Sequence, residues 1–391
     1  RSLYPKVDLA IKGDLASKSG SPVVTIATPI FDVSKILDQR IGQVDYDVSE
    51  LSQAEYEQSY RKNVAEAYFE VLSQNALLKT QATVYQRLKK SYAQAQEMSD
   101  ADLQSDIDVL AAKANLDLSS VEVLEASTNL RHAKGSLKKM INQPITKLKG
   151  LEPDLVSKLT VSDSQTVFKT AQLKNIDYLK KQQELKKAHV ELNKAQGKFY
   201  PTVSLSITAK QDLNADIFDM NNKTSGGSLN ASINIYNGGK DMLDTEKEML
   251  KSFAAEDDLS NLLYDLGVNS SKVVADFENA QARRLASKAA EDSSLKKLNA
   301  MHEKHLMGQA SELELYSAIT QASKAQKDHI NASHQVILKY IDVVMLMGEL
   351  DDSHLLQINQ LLGADIEFES IADLSSASDL ATMILSPRHQ G

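Results

Sequence analysis

The sequence predicts a mainly α-helical chain with a β-barrel portion, and three observations lead there. Proline is absent from Pro29 to Pro144 and again from Pro201 to Pro387. Within those stretches Ala, Gln, Lys, Glu, Leu and Ser dominate, residues that helices favour or tolerate. Two short regions instead alternate apolar and polar residues with period two, the mark of a half-buried strand. Finally, the two halves of the chain repeat one another at an offset of roughly 200 residues, far beyond a solenoid period.

The first element is a hairpin over 1–32. Val7, Leu9 and Ile11 alternate with Lys6, Asp8 and Lys12. After the Gly20-Ser21-Pro22 turn, Val24, Ile26, Thr28 and Ile30 continue the pattern. The spacing then predicts helices at about 35–98 and about 106–142, filling 33–143. Val64, Tyr68, Val71, Leu72 and Leu78 recur on one face of the first, which at 1.5 Å per residue runs roughly 95 Å. A linker over 144–164 leads to a helix at about 165–198. A second hairpin occupies 199–237, with Val203, Leu205 and Ile207 on one strand. Leu229, Ala231, Ile233 and Ile235 alternate on the other, predicted over about 228–236. Asn221-Asn222 and Gly226-Gly227 supply the turn chemistry between them. Helices at about 240–303 and about 312–350 fill 238–350, with Leu259, Leu262, Leu263, Leu266, Val273 and Phe277 as their apolar ladder. Tyr264 is expected in the same inter-helix packing. An acidic, serine-containing tail occupies 351–391 and is expected to hold an extra helix or irregular chain.

The repeat is explicit in the residues. Leu3-Tyr4-Pro5-Lys6-Val7 matches Phe199-Tyr200-Pro201-Thr202-Val203, and Pro29-Ile30-Phe31-Asp32 matches Asn234-Ile235-Tyr236-Asn237. Asp106-Ile107-Asp108-Val109-Leu110 matches Glu312-Leu313-Glu314-Leu315-Tyr316. Each unit reads as hairpin, long helix, sharp turn, returning helix.

Composition excludes whole classes. Of 391 residues none is Cys, so disulfide, thiol and Cys-ligated metal chemistry are absent. A net charge of −9 argues against a nucleic-acid partner held through phosphates. No run approaches the roughly 18 apolar residues of a membrane-spanning helix. The hairpin strands, however, have about the 9–11 residues of a tilted membrane strand. Four such strands cannot close a barrel, and an open edge in hydrocarbon leaves backbone groups unpaired. A membrane reading therefore forces oligomerisation; three chains would give twelve strands, an allowed even number, with the helices continuing as a hollow bundle.

These residues resemble the TolC-like outer-membrane efflux and secretion channels of Gram-negative bacteria. The resemblance rests on Phe199-Tyr200-Pro201-x-Val203-x-Leu205 and on Ile235-Tyr236-Asn237-Gly238-Gly239-Lys240. It rests also on Gly308-Gln309-Ala310-Ser311-Glu312-Leu313-Glu314-Leu315 and on the helix ending Leu346-Met347-Gly348-Glu349-Leu350, and it extends to about residue 350. It implies a homotrimer in outer-membrane lipid with a long periplasmic α-barrel. It also implies a periplasmic adaptor and an inner-membrane ABC or RND transporter as partners. The cargo it implies is proteins (type I secretion) or small molecules (efflux), and the absence of a visible ligand-selective constriction leans slightly to proteins. Relatives carry a helical segment before the first Tyr-Pro strand, so a missing N-terminal stretch is expected here.

By that resemblance the turns at 98–108 and 303–314 form the periplasmic mouth. Asp108 and Glu314 fall on its acidic gate, where three copies would converge six carboxylates and favour cations. Either acid equally suits an ordinary helix N-terminus. The relatives' gate Arg and Tyr positions hold Ala310 and His305. Adaptor docking maps onto Met98, Asp102 and Leu103 in the first turn and Leu306, Gly308 and Gln309 in the second. Gly238 and Gly239 form the strand-to-helix junction and lack the lead residues and Ser/Thr of a P-loop. His302-Glu303-Lys304-His305 departs from the H-E-x-x-H spacing and has no third ligand, so no metal is predicted. No catalytic constellation appears and no cofactor is expected. The competing reading is a periplasmic coiled-coil scaffold or adaptor without a channel.

Overall fold

The structure, a computed structural model, describes residues 4–14, 19–101, 105–151, 156–211, 223–360 and 362–367. The chain divides into two compact units, Arg1–Glu55 with Ile176–Asp265, and Tyr56–Asn175 with Leu266–Gly391.

The first unit holds a four-stranded antiparallel sheet. Strands β1 (Lys6–Asp14), β2 (Ser19–Phe31), β4 (Thr202–Gln211) and β5 (Lys223–Ser232) lie in the order β1-β2-β4-β5. The two hairpins are joined through β2 and β4, so the duplicated segments pair with each other, and β1 and β5 are the sheet edges. The second hairpin differs from the sequence reading. Its outer strand spans Lys223–Ser232 rather than about 228–236, and Gly226 and Gly227 pair with Thr208 and Ile207 inside the ladder instead of turning. The alternation runs on through Ile233 and Ile235, but those residues belong to the irregular link into the next helix. The Asn221-Asn222 pair lies outside the described residues.

Helix α1 (Val33–Asp100) follows directly on β2. Asp32 opens it, its carboxylate accepting from the Lys35 backbone N–H at 3.1 Å. In this unit α1 packs against helix α4 (Ile176–Gly197), where lysines spaced seven apart meet acids along α1. Lys180 reaches Glu55 at 2.7 Å, Lys187 reaches Asp45 at 2.7 Å, and Lys194 reaches Asp38 at 2.5 Å. Such solvent-facing pairs contribute little each, about 0–1 kcal/mol, but they fix the register of the two helices. Gly197 lets the end of α4 approach α1, because a Cβ there would sit 2.9 Å from Val33.

The second unit is a helical assembly with a small sheet. Helix α2 (Asp106–Ile141) runs back along α1 as a heptad pair. Val64, Val71, Leu78 and Tyr85 meet Leu116, Val123, Leu130 and Leu137, seven residues apart on both helices. That spacing is the seam of a coiled coil. Helices α5 (Lys240–Leu306) and α6 (Glu312–Leu346) form the equivalent pair of the second repeat. Their core includes Phe277, Val336, Ile337, Tyr340, Ile341 and Val344, closed by Phe69 and Leu72 of α1.

Three features of this region depart from the sequence reading. The helix expected at about 165–198 is two, α3 (Ser164–Lys174) and α4, broken at Asn175. Asn175 takes an extended conformation at φ −62°, ψ 124°, and its side-chain amide donates to the Leu346 carbonyl at 2.9 Å. The linker contains strand β3 (Lys147–Leu151), and the tail, beyond the extra helix that the sequence predicts, α7 (Asp352–Asn359), contains strand β6 (Leu362–Glu367), with β3 and β6 paired antiparallel. Tyr264 is not in a core but 77% exposed, whereas Phe277 is buried. Among the described residues no helix is long and apolar enough to cross a membrane.

Candidate functional site: a two-faced sheet and two helix turns

The register of the sheet sorts its residues onto two faces. Val7 pairs with Ile26, Ile26 with Ile207 and Ile207 with Gly227, and Leu9, Val24 and Ala209 form the neighbouring row. Thr28, Leu205 and Leu229 form a third row on that same face. The opposite face carries Lys6, Asp8, Thr25, Ser204, Ser206, Thr208, Ser228 and Asn230, set by the two-residue side-chain period. Its serines bond across strands, Ser206 to Ser228 at 2.8 Å and Thr202 to Ser232 at 2.9 Å between hydroxyls. The apolar face has no cover of its own, with Leu9 70% and Ile207 46% exposed.

The junction from β5 into α5 turns on two consecutive glycines in the left-handed region, Gly238 at φ 59° and Gly239 at φ 81°. A Cβ on either would meet nothing within 4 Å, so the requirement is conformational rather than steric. Beyond them Asp241 is held by the Asn234 amide at 2.9 Å, and Lys198 reaches Asp244 at 2.7 Å. The matching junction of the first repeat lacks glycine and uses Asp32 as a cap instead.

The turn between α5 and α6 is closed by backbone chemistry at both ends. Gly308 sits at φ 71°, its N–H donates to the His305 carbonyl at 3.0 Å, and the Gln309 N–H donates to the Lys304 carbonyl at 2.8 Å. This is a Schellman ending, which needs a residue at ease with positive φ. The next helix starts in a capping box: Ser311 Oγ accepts from the Glu314 N–H at 3.3 Å, and the Glu314 carboxylate accepts from the Ser311 N–H at 2.8 Å. That backbone bond first, and then the Ser311 hydroxyl donating to the same carboxylate at 2.9 Å, hold the exposed Glu314 carboxyl below its usual range. Asp108 holds the equivalent third position of α2 behind its own cap, Ser105, whose hydroxyl accepts from the Ile107 N–H at 3.2 Å. Asp108 is half-buried, and Asp106 beside it accepts from Ser99 at 3.0 Å.

Sequence reasoning passed over one acid in this turn. Glu312 is only 5% exposed; its Oε1 accepts from the Ser91 hydroxyl at 2.7 Å, while its buried Oε2 lies 3.3 Å from His305 Nε2 without forming a hydrogen bond. His305 Nδ1 lies 3.0 Å from the Ala310 carbonyl oxygen, which ties the ring to the turn. His305 and Ala310 are thus brought together, and Glu312 ties them to α1 through Ser91. A signal existed: Glu312 stands on the same helical stripe as Leu315, Ile319 and Ala322, all buried. The docking candidates Met98, Leu306 and Gln309 are exposed, while Asp102 and Leu103 lie outside the described residues.

The family model for "Outer membrane efflux protein" matches residues 3–143 and 160–349. The chain is 20% identical over 380 residues to outer membrane protein TolC of Salmonella enteritidis, covering 93% of this chain and 77% of that protein. TolC of Escherichia coli strain K12 is likewise 20% identical over 369 residues, at 90% and 73% coverage. Among solved structures, the Campylobacter jejuni CmeC outer membrane channel superposes with a TM-score of 0.74 at 16% identity, covering 93% of this chain and 82% of that one. The open-state Neisseria gonorrhoeae MtrE outer membrane channel gives a TM-score of 0.71 at 17% identity, covering 90% and 82%. With its duplicated hairpin-and-helix-pair architecture and that match over most of its length, this chain belongs to the outer membrane efflux protein family.

Proposed function

We propose that this chain is one third of an outer-membrane export conduit. Three copies join edge to edge, β1 of one to β5 of the next, and close twelve strands into a barrel. The observation that carries this reading is the sheet itself. A four-stranded sheet with an exposed apolar face, a polar face and two edges is costly alone in either water or lipid. Closure into a barrel of even strand number answers both problems, placing the apolar rows of Val7, Ile26 and Ile207 against lipid and the serine face around water. A second row supports association: Leu243, Leu250 and Tyr264, seven or fourteen residues apart on α5, are exposed apolar side chains suited to a neighbouring helix.

In this reading the paired helices continue the conduit through the periplasm. Asp108 and Glu314 ring its mouth, and the turns bearing Met98, Asp102, Leu103, Leu306, Gly308 and Gln309 receive a periplasmic adaptor. An inner-membrane ABC or RND transporter supplies the energy, and the conduit performs no catalysis. The cargo is taken from the transporter, as proteins or as small molecules; a polar lumen passes unlike molecules because it holds none tightly.

Reconstitution in planar bilayers tests the reading. The expected result is discrete, cation-preferring conductance steps from purified protein. Protein that inserts yet never conducts would contradict it.

A further inference from the structure

Above the α5–α6 turn, within the second unit, helices α1, α5 and α6 line a solvent-open cavity of about 290 Å³. Its charge is one-sided. Arg87 and Lys90, both exposed, line it from one turn of α1, and exposed His302 lines it from α5. Among the described residues neither Arg87 nor Lys90 meets a carboxylate, in a chain of net charge −9 where many lysines have one within reach. Like charges three residues apart on a helix repel by a few tenths of a kcal/mol, a cost that an anion between them reverses. The rest of the lining is suited to a ligand. Gln94 and Asn299 add amides, and Leu315 and Ile319, both nearly fully buried, make an apolar floor. No acid is among the lining residues, and Glu312, which Ser91 contacts, has one carboxylate oxygen taken by the Ser91 hydroxyl.

We propose that this cavity binds a small organic carboxylate, a short-chain dicarboxylate being the best fit. Arg87 takes one carboxylate in a bidentate pair, for which guanidinium geometry is suited. Lys90 and His302 face the second, and the methylenes between lie on Leu315 and Ile319. The volume lies at the small end of ligand pockets, which excludes drug-sized molecules. Because Ser91 lines the cavity and also donates to Glu312, occupancy is relayed to the turn that carries His305, Ala310 and Glu314.

Isothermal titration of the full-length, detergent-solubilised protein with succinate tests this. Succinamide, inorganic phosphate, and the double variants R87Q/K90Q and K113Q/K138Q are run alongside. Saturable succinate binding is expected, weakened at least about tenfold in R87Q/K90Q and unchanged in K113Q/K138Q, a pair of lysines on α2 away from the cavity. Hydrogen exchange of the wild-type protein should slow over 87–94 and 298–303 on adding succinate, a readout independent of the variants. Equal loss in both double variants would reduce the effect to general charge, and binding of phosphate as tight as succinate would remove the carboxylate assignment. Binding of succinamide, or no binding at all, would overturn the proposal.

Discussion

Removing His305 should do more damage than its place in an exposed turn suggests. It leaves the nearly buried Glu312 carboxyl with the Ser91 hydroxyl alone and empties the ring space packed beside it, and stranding a buried polar group costs about 1–3 kcal/mol. H305A is therefore expected to lower the thermal midpoint of the purified protein markedly. S91A, which deletes one hydrogen bond to a buried acid, should cost about 1–3 kcal/mol. His334 behaves oppositely. It is buried, its Nδ1 has no partner, it packs edge-on to Phe69 with ring centroids 6.3 Å apart, and burial pushes its pKa down to about 4. The unfolded chain, with a His pKa near 6.5, therefore binds the extra proton first as pH falls, and stability is lost between about pH 6.5 and pH 4. The loss approaches on the order of 3 kcal/mol, and H334L should remove it, as unfolding at pH 7 and pH 4.5 would reveal. At the mouth, D108A/E314A should raise single-channel conductance and lower cation preference by roughly a factor of a few. Unchanged behaviour would take both acids out of the gate. The alignment of the two turns was legible in the sequence because Asp108 and Glu314 hold the same place after a Ser cap. Glu312 was not, since an acid in a helix's first turn is ordinary and only its alignment with Leu315 and Ile319 marks it.

At the scale of elements, glycines of like φ answer to different constraints. Gly308 and Gly348 have φ of 71° and 73°, and each ends a helix in a Schellman turn. A Cβ at Gly308 meets nothing within 4 Å, whereas one at Gly348 would fall 2.1 Å from the Lys174 carbonyl oxygen. G308A is thus expected to cost about 1–2 kcal/mol, the left-handed penalty alone. G348A should cost clearly more, because α6 would have to lift off the end of α3. A thermal-shift comparison of the two variants checks the order. The long helices were legible because their heptads are unbroken and Pro-free. Asn175 broke one against propensity: no Gly or Pro marks the site, and the break is fixed by a bond to the Leu346 carbonyl that local sequence does not show. Strands β3 and β6 were missed for a related reason. They are short, lie more than 200 residues apart, and pair only because the folded chain brings Lys147 opposite Glu367. Strand β5 was misplaced because alternation persists through Ile233 and Ile235 after the ladder has ended at Ser232.

At the scale of the whole molecule, duplication explains why one chain offers two hairpins, two coiled-coil pairs and two capped turns. It also explains why the sheet is unfinished, since each repeat contributes only two strands and the pairing of β2 with β4 uses one edge of each. The central claim is that the remaining edges meet in a ring of three. The absence of native cysteine allows a clean test. Val7→Cys and Leu229→Cys put one thiol on each edge strand, and membranes carrying the double variant are treated with a flexible bismaleimide. The account predicts dimer and trimer bands on denaturing gels, with the trimer as the ceiling and neither single variant advancing beyond dimer. Monomer alone, or a ladder continuing past three chains, would contradict it.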